Sequence, residues 1–369
     1  MQNPFRIFVI NPGSTSTKVA LFEDETKLYE TSVFHEAAKL EQFATINDQL
    51  PYRLSVIRSF LEQEHIDLTG IDAIVGRGGS SLSVESGVYE ITPQLVEDTR
   101  DCKGGTPHCS MLGVQLAYEL HQLYGGRMFM VDPIVVDELS DLARMTGLKG
   151  LTRTLTFHAL NQKGIARKHA ASLGIPYESL NLIVAHIDGG ITIGAHKQGR
   201  VVDCNSGAGG DGPYTPSRIG SIGLVDFMNY MEQTGKTFDE MRHYCNSGAG
   251  FISLVGTNDS GLIHQRMEAG DADCRRAWQG MLYQVCKCIG QMAVALDGRI
   301  DGILLTGGLL RFPDVAETVQ QRCGWIAPIT CYPGEVEHEA MADGALRVLR
   351  GQAQAKQYTG RPVFEGFDR

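Results

Sequence analysis

Apolar positions along the chain gather into strand-length runs that alternate with glycine-rich turns and with longer stretches at helical spacing. At the start, Ile7-Phe-Val-Ile10 and Val19-Ala-Leu-Phe22 flank the polar turn Asn11-Pro-Gly-Ser-Thr-Ser-Thr-Lys18, which reads as a β-hairpin whose tip carries hydroxyls and one cation. Strands are expected at 5–10, 18–22, 71–76, 127–131, 182–187, 191–196, 201–203 and 302–306, and helices near 51–64, 109–123, 158–173, 274–296 and 336–350. That alternation predicts an α/β fold. The segment Leu182-Ile-Val-Ala-His-Ile-Asp-Gly-Gly-Ile-Thr-Ile-Gly-Ala-His196 repeats the design of the first hairpin, and a third glycine turn follows the apolar run before Gly307-Gly308. Two halves of similar design are the simplest explanation, spanning 1–155 and 156–342. A C-terminal helix over about 343–369 is expected to pack on the first half.

The length of 369 residues suits two domains, and 43% hydrophobic content suffices for two cores. A net charge of −10 argues against a nucleic-acid or anionic-membrane surface. No basic-then-apolar leader precedes Ile7 and no apolar run reaches the roughly 18 residues of a membrane span, so a cytoplasmic location is expected. The nine cysteines form no CxxC pair, so neither a zinc ribbon nor a secreted disulfide framework is indicated.

Two familiar nucleotide signals fail. Gly207-Ala-Gly209-Gly-Asp-Gly212 satisfies G-x-G-x-x-G but runs into Pro213-Tyr-Thr-Pro216 and not into a helix, and the Walker pattern is missing. Phosphate binding therefore falls to the glycine-hydroxyl hairpins. There Gly13 allows a sharp turn and close backbone approach, Ser14, Thr15, Ser16 and Thr17 offer hydroxyls, and Lys18 offers a cation.

The ordered set Asn11 to Lys18, Val75-Gly-Arg-Gly-Gly79, Val131-Asp-Pro-Ile-Val-Val-Asp-Glu138, Phe157-His-Ala-Leu-Asn-Gln162, Val184-Ala-His-Ile-Asp-Gly-Gly190 and Leu305-Thr-Gly-Gly308 resembles the acetate kinase family over essentially the whole chain. The resemblance implies a duplicated ribonuclease-H-like, actin-like ATPase fold with the active site in a cleft between the halves. It further implies reversible transfer of the ATP γ-phosphoryl to butyrate or a related short or branched carboxylate, giving an acyl phosphate and ADP. Under it, Arg77 and Arg218 clamp carboxylate and phosphoryl oxygens, which the planar guanidinium fork suits. His158 and Asn11 hydrogen-bond the transferring group. Asp132 and Glu339 organise Mg²⁺, although Glu335 and Glu337 stand close by. Ser14, Ser16, Lys18, His186, Gly189, Gly190, Gly307 and Gly308 contact the nucleotide, and a homodimer or higher oligomer is implied.

Gly79, Phe157 and Pro216 resemble the acyl-pocket walls. Acetate kinases carry a bulkier aliphatic residue where Gly79 stands, so the glycine is expected to leave room for extra methylenes. One position departs from the family pattern: Asp188 stands where a further glycine is usual, a carboxylate beside a triphosphate. Rival readings are an acetate or propionate kinase, a non-enzymatic ATP-binding chaperone-like protein of the same superfamily, and a sugar kinase using Asp188 to deprotonate a hydroxyl.

Overall fold

The computed structural model describes residues 3–105 and 107–367. The chain divides into two compact units, 1–137 with 336–369, and 138–335. The segment 138–156 lies with the second unit: Ser140 N donates to Val202 O at 2.9 Å and Arg153 pairs with Asp203 at 2.9 Å.

The first unit is built on a six-stranded sheet in the order β3-β2-β1-β4-β6-β5, with β1 Arg6–Pro12, β2 Ser16–Glu23, β3 Thr26–Phe34, β4 Ala73–Gly76, β5 Val88–Glu90 and β6 Arg127–Val131. Strands β1, β2 and β3 form an antiparallel meander, and β4 joins β1 in parallel, followed by β6. Because successive side chains of a strand face opposite sides, Phe8 and Ile10 enter a cluster with Ile57, Leu61, Leu112 and Leu116 from the helices Leu50–Gln63 and Met111–Tyr124. Ile7 and Val9 are equally buried, and the helix Glu337–Leu349 packs on β1, β4 and β6. Gly344 allows that approach, since a Cβ there would meet Val131 Cγ1 at 2.8 Å.

The second unit repeats the plan. Its sheet runs β11-β10-β7-β8-β9, with β7 Asn181–Ile187, β8 Ile191–Lys197, β9 Arg200–Cys204, β10 Gly302–Gly307 and β11 Ile329–Pro333. Again three strands form an antiparallel meander, and the first of them takes a parallel partner. The helix Ala272–Ala295 buries Trp278, Met281, Leu282, Val285 and Ile289 against this sheet, each such side chain contributing about 1.5–3 kcal/mol. Its start is fixed by Asp271, whose carboxylate accepts from the backbone N–H of Asp273 and Cys274, both at 3.0 Å. The recurrence of one strand order in both units is the duplicated ribonuclease-H-like plan. Among the described residues no helix is long and apolar enough to cross a membrane.

Three expectations shift. Strand β3 was invisible because its side chains are all exposed or half-buried, with only Tyr29 and Val33 leaning on the core, so Thr26–Phe34 carries no apolar run. Strand β11 lies at a sheet edge and is likewise unburied. The C-terminal helix expected over 343–369 ends at Leu349, where Gly351 at φ +71° turns the chain away. Residues 368–369 of that expectation lie outside the described residues.

Candidate active site

In the first unit the β1–β2 hairpin closes on a tight turn in which Gly13 N donates to Ser16 O at 2.7 Å. Ser14 and Lys18 are exposed and Ser16 half-buried at its tip. The turn is held from behind by Arg53, fully buried, which donates to Ser14 O and Ser16 O at 3.3 Å and to Thr17 Oγ1 at 3.0 Å. Sequence reading missed Arg53, because nothing in its own helix distinguishes it from a surface arginine.

Thr17 Oγ1 also lies 2.9 Å from His35 Nε2. Nε2 is bonded to that hydroxyl, and the buried Nδ1 has no hydrogen-bond partner among the described residues, so a second ring proton would go unsatisfied and the ring stays neutral. Burial, reinforced by the Arg53 charge, lowers the His35 pKa from 6.5 to about 4. An unfolded histidine binds its proton below about pH 6.5 and the folded one only near 4, so the unfolded state gains protons first and stability falls as pH drops through that window. The loss expected is up to about 3 kcal/mol. Urea unfolding at pH 7 and pH 4.5 reads it, and His35→Gln should flatten the slope; an unchanged slope would remove His35 from the account.

The same sheet presents Asn11 and Arg77 from the C-terminal ends of β1 and β4, and they converge on an unexpected residue. Glu337, at the first turn of the helix Glu337–Leu349, accepts from Asn11 Nδ2 at 2.7 Å and pairs with the Arg77 guanidinium. Arg77 Nη1 also donates to Asn11 Oδ1 at 3.1 Å. Glu337 is 4% exposed, whereas Glu339 is 49% exposed and pairs with Lys27 at 2.7 Å. The helix register thus turns inward the acid beside the one singled out from sequence.

Asp132 ends β6 with φ +36°, a strained backbone for a non-glycine residue. Its Oδ1 accepts from Ser86 Oγ at 2.6 Å and Gly87 N at 2.8 Å. Gly79 leaves no extra room. A Cβ there would meet Ser110 Oγ at 2.0 Å and Ile134 Cδ1 at 3.3 Å, so the glycine admits Ser110 and not a longer ligand.

In the second unit the β7–β8 turn gathers most of the remaining candidates. His158, just ahead of the helix Ala159–Leu173, stacks on His186 with ring centroids 3.8 Å apart. Its Nδ1 lies 2.9 Å from Thr192 Oγ1, which in turn accepts from Gln162 Nε2 at 2.8 Å. Thr192 Oγ1 also accepts from the His158 backbone N–H at 3.4 Å, so with both lone pairs engaged its proton goes to Nδ1, and the His158 ring proton resides on Nε2. Gly190 explains itself sterically: a Cβ would lie 2.7 Å from Arg218 Nη1 and 3.2 Å from His158 Nε2. Arg218 and His158 thus meet over one glycine.

Arg218 is anchored by Nη1 on Gly207 O at 2.6 Å, and among the described residues no carboxylate pairs with it. Burial pulls its pKa below the usual arginine value, the mark of a cation short of an anion. Phe157 and Pro216 are both buried in this unit. Gly307, at φ +107°, closes β10 where a Cβ would meet Ile187 O at 2.3 Å, so only glycine fits.

Asp188 has a structural task that the sequence did not disclose. Its Oδ1 accepts from Gly189 N and its Oδ2 from Gly308 N, both at 2.8 Å, tying the β7–β8 turn to the turn after β10. A carboxylate clamped by two backbone amides is a strut, which removes the sugar-kinase reading's reason for invoking it.

Comparison with known proteins decides the family. The chain is 42% identical over 354 residues to a probable butyrate kinase of Clostridium botulinum (strain Eklund 17B / Type B), covering 96% of this chain and 99% of the relative. It is 43% identical over 355 residues to a probable butyrate kinase of Coprothermobacter proteolyticus, with 96% and 99% covered. Residues 142–322 match the Acetokinase family. The chain belongs to the acetokinase family. Its fold is that of Porphyromonas gingivalis acetate kinase, with TM-score 0.72 at 19% identity over 94% of this chain and 100% of that one. A Francisella tularensis propionate kinase aligns equally well, TM-score 0.72 at 17% identity over 92% and 98%.

Proposed function

We propose that this family member is a butyrate kinase, transferring the γ-phosphoryl of ATP reversibly to butyrate or a related short or branched carboxylate. The observation that carries the reading is the convergence at Gly190 of Arg218, a cation without a carboxylate partner among the described residues, and of a histidine whose Nε2 holds its proton. Phosphoryl transfer spreads negative charge over three equatorial oxygens and needs fixed positive groups more than proton chemistry. Arg218 neutralises that charge, and His158 Nε2–H donates to one of those oxygens. Arg77 receives the acceptor carboxylate, while Glu337 holds Arg77 and Asn11 in place. No general base is called for, since the carboxylate is already ionised.

The nucleotide falls to the glycine turns at 189–190 and 307–308 and to the hairpin tip at Ser14, Ser16 and Lys18. The buried carboxylates Asp132 and Glu337 offer oxygen donors only, a set that suits Mg²⁺, which commonly takes one or two protein carboxylates. Bound there, Mg²⁺ would neutralise phosphate charge. Glu339, exposed and paired with Lys27, drops out of that role.

With Gly79 sealed by Ser110, chain-length preference rests on Phe157 and Pro216. Each buried methylene contributes roughly 0.8 kcal/mol, about fourfold in kcat/KM. Initial rates of ADP release with acetate, propionate, butyrate, isobutyrate and valerate should therefore rise to the four-carbon acids. Rates that peak at acetate or propionate would replace this reading by an acetate or propionate kinase. A homo-oligomer in the cytoplasm belongs to the same reading; exposed Leu224, Val225 and Met228 on the helix Leu224–Thr234 support the former, and light scattering reads it, a monomeric mass counting against it.

A further inference from the structure

We propose that His186, Asp188 and Glu335 form a site for a divalent first-row transition metal, of the Mn²⁺ or Zn²⁺ class, occupied without nucleotide. One ligand atom from each residue lies within 4.8 Å of the others. His186 Nε2 stands 3.7 Å from Glu335 Oε1, too long for a hydrogen bond. It is the spacing of two ligands that share one ion, since bonds of about 2.0–2.2 Å set ligand atoms roughly 3–4.4 Å apart.

Each ligand is positioned in advance. His186 is 1% exposed, and its ring is fixed by the stack on His158 and by the Asn161 carboxamide 2.9 Å from Nδ1. Metal at Nε2 puts the ring proton on Nδ1, so binding turns the Asn161 carboxamide by half a turn and exchanges its Nδ2 bond to Thr306 Oγ1 at 3.1 Å for one from that hydroxyl, which otherwise donates to Gly334 O at 2.8 Å. Asp188 is aimed by the amides of Gly189 and Gly308, each carboxylate oxygen keeping a second lone pair for a cation. Glu335, 29% exposed, follows Gly334, which pairs with Gly307, and gives the ion a way in from solvent.

One imidazole nitrogen with two carboxylates favours transition metals over Mg²⁺ or Ca²⁺, which prefer oxygen alone. The site also answers the electrostatic objection to a carboxylate at position 188 in a phosphate turn. Two carboxylates beside an incoming triphosphate add like charges, and a resident dication offsets them. That last consequence rests on the nucleotide reading; the site itself does not.

The test is a titration of Mn²⁺ into EDTA-stripped, nucleotide-free protein, with free Mn²⁺ read by electron paramagnetic resonance. Wild type should bind one equivalent more than Asp188→Gly and than Glu335→Gln, with affinity at that site weakened at least about tenfold in each variant, and Zn²⁺ should displace it. Thermal unfolding in EDTA checks both folds, and the half-exposed Glu335→Gln remains informative if loss of the Asp188 strut loosens the turns. Equal stoichiometry and affinity in wild type and Glu335→Gln would overturn the site. Because neither ATP nor a carboxylic acid is present, failure here leaves the kinase reading standing, and failure of acyl-phosphate formation leaves the metal site standing.

Discussion

Replacing Arg77 by alanine should lower kcat/KM for acyl-phosphate formation by about 10³-fold, the scale of an arginine that stabilises phosphoryl-transfer charge. Two effects are mixed in that number. Arg77 is the partner of Glu337, whose side chain is 4% exposed, so its removal strands a buried carboxylate at a cost of about 3–5 kcal/mol of stability. Pairing Arg77→Ala with Glu337→Gln, read against Glu337→Gln alone because Glu337 also serves Mg²⁺, separates the two. The double variant should recover most of the lost melting temperature and almost none of the activity, while Arg77→Lys, which keeps charge but not the fork, should stay well below wild type. Activity returning together with stability would make Arg77 a structural residue and take the acceptor clamp out of the mechanism.

Gly190→Ala should cost about 10²-fold in kcat, the scale of an ångström-level displacement of catalytic groups, with little change in melting temperature. Gly190 is not among the residues at positive φ, so alanine is allowed by the backbone and the fold has no reason to fail. What the new methyl meets is Arg218 Nη1 at 2.7 Å and His158 Cε1 at 3.0 Å. The guanidinium end can move, but only by leaving Gly207 O, its 2.6 Å anchor. The effect should therefore fall on kcat more than on KM for ATP. A variant that turns over at the wild-type rate would mean that Arg218 and His158 do not act from the positions they hold over this glycine.

Much of this architecture was legible because its central strands are buried on both faces. Residues 182–185 and 303–305 read as continuous apolar runs, and these are the buried centres of β7 and β10. The half-exposed edge strands β3 and β11 carry no such run, so local sequence gave no period to detect. Within the site, Arg77, His158 and Gly190 were legible as motif residues, since each sits in a short block at a strand or helix end. Glu337 was not. Three acids alternate at 335, 337 and 339, and only the rotation of the helix on β1 decides that Glu337 meets Asn11, 326 residues away in sequence. Arg53 and Asp188 were hidden for a related reason: both act on backbone atoms of distant turns, and backbone carbonyls and amides leave no trace in a sequence. The error at Gly79 is of another kind. A glycine reads as empty space, but here a neighbour's hydroxyl already fills it.

The most direct measurement is trapping of the product itself. Purified protein with Mg-ATP and butyrate in hydroxylamine should accumulate butyryl hydroxamate with matching ADP, while a hexose in place of the acid should yield neither. ATP bound without hydroxamate from any short carboxylate, or phosphorylation of the hexose, would contradict the assignment of a carboxylate kinase to this chain.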